Sequence, residues 1–333
     1  MIETSLQQEP VALPGRPFGR TARSVAGYTL LTGLMFVTQL FVFVPAALFQ
    51  CAIRNGRRAA WLVMLMASAL AVPSILQLAR QPGLNPDEPK MMFAALITVV
   101  LGVALPALMA VPLVERGVPF GRVLAFTTVG GAVGLFLTEA VMRTAIGFSP
   151  FARHLFEVQR VGESARKAGL PDAYVQMMAR MADVMAVCLP AFTLIPMIVA
   201  FVLSLAMFAR LDFRRGGERS TVYLFRNLSL PDWMLFAFVL GGITPLASGR
   251  LQAVAANVLA VVTFLYFLQG LAIFRSVLAS AGVSILGVAI GFVFIGLLFG
   301  FVFLPLSIAG LFDSFFDFRH FKRKDDSHEG HSD

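Results

Sequence analysis

The chain has 333 residues, of which 58% are hydrophobic and only 14% charged, and its mean hydropathy is +0.79. Soluble cores of this length do not exclude charge so completely, so a pair of soluble domains is excluded and one membrane-embedded helix bundle uses the whole length. The net charge of +8 does not mark a nucleic-acid binder, because the arginines stand in short gaps between apolar runs, where the positive-inside rule places them.

Residues 1–23 form a polar tail with Pro10, Pro14 and Pro17. Arg16, Arg20 and Arg23 precede the apolar run 24–53, an arrangement resembling a signal sequence. That run is far longer than a cleavable h-region of about 7–15 residues, so an uncleaved first span is expected. Further uncharged runs cover 59–79, 91–114, 123–138, 184–209, 233–249, 251–274 and 276–312. The fourth continues past Glu139 and Arg143 to about Phe148. A helix crosses the ~30 Å hydrocarbon core in about 20 residues. Only helices and closed barrels satisfy their backbone polar groups in lipid, and these runs do not alternate with the period of two that barrel strands need. The expected fold is an all-α, polytopic membrane bundle of about eight hydrophobic segments over 24–312.

The longest gap lies between the fourth and fifth runs. Ser149-Pro150 is a good N-cap and first-turn pair, and Gly169 with Pro171 is a good stop. Between them Phe151, Leu155 and Val158 fall at helical spacing, while Arg153, Glu157, Arg160, Glu163, Arg166 and Lys167 supply a charged face. This predicts an amphipathic helix over about 150–168, either lying on the membrane surface or packed against the base of the fifth span. The segment 313–333 is a basic and then disordered tail, with Arg319, Lys322, Arg323 and Lys324 near its start. His328 and His331 within it read as solvated rather than as metal ligands. Cys51 and Cys188 lie in apolar runs and show no metal-ligand spacing. No metal and no other cofactor is expected.

Eight plain crossings leave Arg54, Arg57 and Arg58 outside, against the positive-inside rule. Folding the first and last runs back on themselves puts more of the Lys and Arg inside, with breaks near Pro45 and Pro305. A tilted single span remains the other reading of each run. Both arrangements place the two termini in the cytoplasm. Pro17-Phe18-Gly19-Arg20 recurs as Pro119-Phe120-Gly121-Arg122, but nothing around the match aligns.

Ionisable groups inside a span are expensive and are functional suspects by default. Glu139 and Arg143 stand four apart on one helical face, where they can pair. They read as a substrate or proton contact lining a cavity, or as an ion pair at the membrane edge. The seventh run carries Arg250, Asn257, Tyr266 and Gln269; the amides read either as cavity lining or as bonds to neighbouring helices. Gly241-Gly242-Ile243-Thr244-Pro245 is the best helix break, of the kind that builds transporter sites. Glu139, Arg143, Thr244, Arg250, Asn257, Tyr266 and Gln269 are therefore the candidate substrate-binding residues, expected around a cavity between the fourth, sixth and seventh runs. Gly130/Gly134/Thr138, Gly287/Gly291 and Gly296/Gly300 repeat every four positions and mark close helix contacts, within the bundle or with a partner helix. Asp313 and Asp317 read as solvated charges at the membrane edge. There is no H-E-x-x-H, P-loop or G-x-S-x-G, so an enzyme is not expected.

The C-terminal third adds a resemblance. Leu230-Pro231-Asp232-Trp233 leads into a span. Asn257 is followed by Phe264-Leu265-Tyr266-Phe267-Leu268-Gln269-Gly270-Leu271-Ala272. Gly310-Leu311-Phe312-Asp313 then precedes Phe316-Asp317-Phe318-Arg319. This order, with the Arg54-Asn55-Gly56 turn, resembles the YybS-like family of predicted bacterial membrane proteins, a domain-of-unknown-function family. The resemblance implies a multi-pass protein of the bacterial inner membrane and assigns no catalytic residue. It implies a more distant likeness of fold to the substrate-binding S components of energy-coupling-factor transporters, whose Ala-x-x-x-Ala contact spacing is met by Ala22 and Ala26. The functional expectation is a small-solute transporter or a membrane-embedded binding component. Its alternative is a non-catalytic scaffold or assembly protein of the cell envelope, acting with partner subunits or as a homo-oligomer.

Overall fold

The computed structural model describes residues 18–80, 83, 85–213, 222–243 and 248–316. Those residues form helices joined by short turns, with no strand among them, as the uncharged runs require. Among the described residues, six helices are long and apolar enough to cross a membrane: Arg57–Gln77, Asp87–Glu115, Phe120–Ile146, Leu189–Leu211, Leu251–Ser280 and Phe299–Phe316. Shorter apolar helices cover Ala22–Val37, Leu40–Asn55 and Ile285–Leu297. The tails, Thr244, Pro245, Asp317, His328 and His331 lie outside the described residues.

The first run folds back on itself. Helix α1 (Phe18–Val37) ends in a tight turn at Thr38, whose hydroxyl accepts from the Leu40 N–H at 3.3 Å. One short 3₁₀ turn (Gln39–Phe43) then leads into α2 (Val44–Asn55), with Pro45 in its first turn. The hairpin is tied across its open end, where the Asn55 amide donates to the Ser24 hydroxyl at 3.1 Å. Every residue of α2 from Val44 to Ala52 is buried, so the bundle packs around this helix. Helix α3 (Arg57–Ala79) follows directly, with Arg57 ion-paired to Glu115.

The second long helix is not uniform. It starts as α4 (Asp87–Thr98), widens into one π-helical turn at Val99–Ala104, and continues as α5 (Leu105–Glu115). Pro106, just past the π segment, lacks the N–H that an α-helix would give back to Gly102. Helix α6 (Phe120–Ile146) packs directly on this irregular turn through small residues. A Cβ at Gly134 would stand 2.3 Å from the Leu101 carbonyl oxygen, and one at Gly130 2.9 Å from Pro106. Gly147, in the left-handed region at φ +67°, ends α6.

Helix α7 (Pro150–Lys167) and helix α8 (Asp172–Val187) pack against each other as a hairpin outside the bundle. The residues 184–187 that open the fifth apolar run belong to α8; the break falls at Cys188, and α9 (Leu189–Phe213) begins beyond it with Pro190 in its first turn. Tyr223, in the segment before the next helix, donates to the Val118 carbonyl at 2.9 Å and packs between Phe120 and Phe208. Burial pushes its phenol up to about 12.

Helix α10 (Met234–Gly242) is short and packs on α11 (Gly249–Ser280), with Gly241 against the Leu259 backbone. The last run turns at 281–284 rather than at Pro305. Gly282, at φ +69°, lets the chain reverse, and the Ser284 hydroxyl caps α12 (Ile285–Leu297) at the Gly287 N–H. Gly291 then packs back on Phe274 and Leu278 of α11. Pro305 sits inside α13 (Phe299–Phe316) without breaking it. Helix α13 crosses α11 at the closest backbone approach in this part of the fold, Gly270 against Leu306 and Gly310 against Tyr266.

Candidate functional site

The candidate residues of the seventh run fall at two separate structural joints. Asn257, two turns into α11, accepts from the Ala191 N–H at 2.8 Å. Its amide donates to the carbonyls of Val187 at 2.8 Å and Ala253 at 2.7 Å. Ala191 lies in the first turn of α9, where N–H groups have no partner within their own helix. One side chain therefore caps the start of α9 and the end of α8. Asn257→Leu removes three hydrogen bonds and leaves that N–H unmet, so a loss of about 2 kcal/mol is expected. The check is thermal unfolding of the full chain, with faster proteolysis between α8 and α9. An unshifted unfolding curve would show that the cap is replaced by water.

Gln269 is fully buried. Its carbonyl oxygen accepts from the Leu230 N–H at 3.0 Å, and its amide donates to the Asp313 carboxylate at 3.1 Å. Asp313, expected at a solvated edge, is only 7% exposed; the close crossing of α11 and α13 draws it inside. Tyr266, also buried, bonds Ser314 on the same helix pair and packs edge-on against Phe238 at 5.9 Å. Arg250 lies in the first turn of α11.

Glu139 is elsewhere, at the wall of a partly open cavity of about 590 Å³. The cavity lies between the α1–α2 turn (Phe36 to Phe41), α4 and its π turn, α6 and α9, with the start of α7 over it. This differs from the cavity expected between the fourth, sixth and seventh runs: of the candidate residues whose side chains are described, Glu139 alone is in its lining. The walls are mostly apolar, with Phe36, Phe41, Met91, Met92, Phe151 and Met197 among them. Polar groups come from Thr38, Thr98, Thr138, Thr193, Glu139 and His154. Two irregular backbones border it: the π turn contributes Val99 and Val103, and α9 contributes Pro196, which has no N–H for the carbonyl one turn back.

The Glu139 carboxylate fixes the cover of this cavity. It accepts from the Ser149 hydroxyl and, at 3.2 Å, from the Phe151 N–H. Ser149 itself accepts from the Ala152 N–H at 3.1 Å. With Pro150 lacking an N–H, the first turn of α7 is satisfied by its own Ser149 cap and by one acid reaching over from α6. Arg143 stands 3.7 Å from the same carboxylate, but its side chain is 70% exposed against 15% for Glu139. A second tie runs from Arg153 of α7 to Asp87 at the start of α4, at 3.4 Å, and Asp87 also pairs with Lys90 at 3.2 Å.

Sequence reasoning found Glu139 because it is an acid in an apolar run. It missed the threonines, which are unremarkable in a helix, and His154, which lies on the amphipathic segment. The usable signal was Ser149-Pro150, 10 residues beyond Glu139, since a helix start needs an acceptor and a chain that turns back after α6 brings it to the acid.

These features define a polytopic α-helical membrane protein with a cavity between its helices, covered by the start of α7. Residues 25–314 match the family described as predicted membrane protein, domain of unknown function 2232, and the chain belongs to it. No curated protein matches the chain. No solved structure matches it either.

Proposed function

We propose that this chain is a membrane-embedded binding component or transporter for a small solute, and that the cavity beside Glu139 holds the solute. The cavity carries this reading. Its volume is that of a small-molecule pocket, its walls are apolar with a few convergent polar groups, and interrupted helices border it. The α7–α8 hairpin lies at the membrane interface, and the start of α7 covers the mouth, held by Glu139 and by the Asp87–Arg153 pair. The protein resides in a bacterial inner membrane with both termini in the cytoplasm. The likeness to S components of energy-coupling-factor transporters adds an analogy of fold and no residue assignment.

Ala95 lines the cavity and is exposed to it, so Ala95→Trp fills space without displacing packed atoms. The purified full chain is screened by thermal shift against a panel of vitamins and metabolites. A true ligand at a hundred times its Kd stabilises the folded protein by about 2.7 kcal/mol, and the Trp variant is expected to lose that gain while unfolding alone like wild type. A panel with no hit, or a hit that survives in the Trp variant, counts against the cavity. The scaffold reading has its own observation: Gly296 at the end of α12 and Gly300 at the start of α13 meet no neighbour within 4 Å and leave the joint between the two helices open. A stable heteromeric complex, recovered in mild detergent and indifferent to Ala95→Trp, favours that reading.

A further inference from the structure

We infer that the ligand of this cavity is an amine: an apolar body carrying an ammonium or a cationic, N–H-rich head directed at Glu139. This rests on reading the cavity as the solute site. A hydroxyl has one hydrogen to give and two lone pairs. Thr38 gives its hydrogen to the Leu34 carbonyl, Thr138 to Gly134 and Thr193 to Leu189, each at 2.9 Å and one turn back along the chain; Thr38, which also accepts from the Leu40 N–H, keeps one lone pair. Those hydroxyls face a ligand as acceptors.

The carboxylate of Glu139 is acceptor-only when ionised. The N–H groups at the start of α7 would ordinarily attract an anion, but here they are spent, Phe151 on Glu139 and Ala152 on Ser149. The nearby cations are engaged as well: Lys90 and Arg153 pair with Asp87, and Arg143 sits largely in solvent. Thr98 and His154 can give or accept and leave the balance unchanged. A phosphate or carboxylate entering here would meet an acid and lone pairs with no donor set to hold it. An ammonium would meet the acid, the hydroxyl oxygens and aromatic walls at Phe36, Phe41 and Phe151, whose ring faces attract a cation.

The test uses one skeleton with three heads: 2-(1-naphthyl)ethylamine, 2-(1-naphthyl)ethanol and 1-naphthaleneacetate. Each is titrated against the full chain in nanodiscs of zwitterionic lipid, so that the bilayer does not itself recruit the amine. The amine is expected to bind about tenfold more tightly than the alcohol, the scale of one charge-assisted hydrogen bond, and the carboxylate more weakly than either. Glu139→Gln keeps an oxygen for the Phe151 N–H, and its NH2 can donate to the Ser149 hydroxyl, which bonds the other carboxylate oxygen in the native chain. It is expected to bring the amine down to the level of the alcohol while leaving alcohol binding unchanged, a readout that a merely loosened cover would not give. Equal affinities, a tightest carboxylate, or an amine preference that survives Glu139→Gln overturns the ligand class and leaves the cavity as the site. Failure of all three probes to bind wild type, or equal binding to Ala95→Trp, overturns the site and the inference together.

Discussion

Alanine at Gly270 or at Gly310 is expected to cost about 3 kcal/mol or more, the upper end of what overpacking does, and to leave little protein folded at moderate temperature. A Cβ on Gly270 would lie 2.0 Å from the Leu306 carbonyl oxygen, and one on Gly310 2.0 Å from the Tyr266 carbonyl oxygen. Both obstacles are helix backbone, which cannot rotate away as a side-chain tip can. The helices would have to part, and the buried contacts of α11 with α13 would go with them. Gly296→Ala and Gly300→Ala are the controls. Nothing lies within 4 Å of either position, so alanine there changes only helix propensity, a gain of up to about 1 kcal/mol. Thermal unfolding of the four variants in one detergent decides the matter. A Gly270→Ala protein that melts with wild type would mean that α11 and α13 do not touch as described.

The same comparison shows what the sequence made legible. Gly130/Gly134, Gly287/Gly291 and Gly296/Gly300 carry one spacing, yet the fold uses it differently. Gly134 backs onto Leu101, Gly291 packs on Phe274, and Gly296 and Gly300 face open space. Spacing is a property of one helix, whereas contact is a property of two, and only the uncharged runs were strong enough to be read without the partner. The tightest approaches, at Gly121, Gly270 and Gly310, belong to none of the small-residue pairs spaced four apart. Gly121 meets the Ser229 backbone in a loop, and no local pattern announces a loop as a neighbour.

Chain reversal was half legible for a similar reason. The run 24–53 was long enough for a tilted span or for a hairpin, and the arginines favoured the hairpin. What makes it one is the Thr38 cap and the Asn55–Ser24 bond across the open end. In 276–312 the proline drew attention and the glycine did not. Pro305 is absorbed by α13, while Gly282 and Ser284 make the turn. Asp313 was misplaced because a charge at the end of an apolar run usually meets water. Here the run ends beside another helix instead of at the surface. Glu139 was visible as an isolated acid, but its cavity was not, since the walls come from helices far apart in the chain.

Gln269 joins the largest number of these elements, and its loss is expected to cost about 3 kcal/mol. Gln269→Leu takes the acceptor from the Leu230 N–H and the amide donor from Asp313, both of them buried. An unmet buried donor costs about 1–3 kcal/mol, and a carboxylate deprived of a hydrogen bond costs more. The damage reaches beyond α11. Leu230 and Ser229 form the surface on which the start of α6 rests through Gly121, and Asp313 anchors the end of α13. One amide thus locks a loop and three helices in register. Gln269→Glu separates the two halves, because it keeps an oxygen for Leu230 while setting a second carboxylate beside Asp313. It is expected to be nearly as damaging as leucine. Combining it with Asp313→Asn restores a donor facing an acceptor with the polarity reversed, and is expected to recover most of the loss. A double-mutant cycle on unfolding free energies measures this. Strong coupling, with the double variant more stable than Gln269→Glu alone, is the signature of the bond. Simple additivity of the two single losses would show that Gln269 and Asp313 do not hold one another, and that the crossing at Gly270 and Gly310 is kept without their bond.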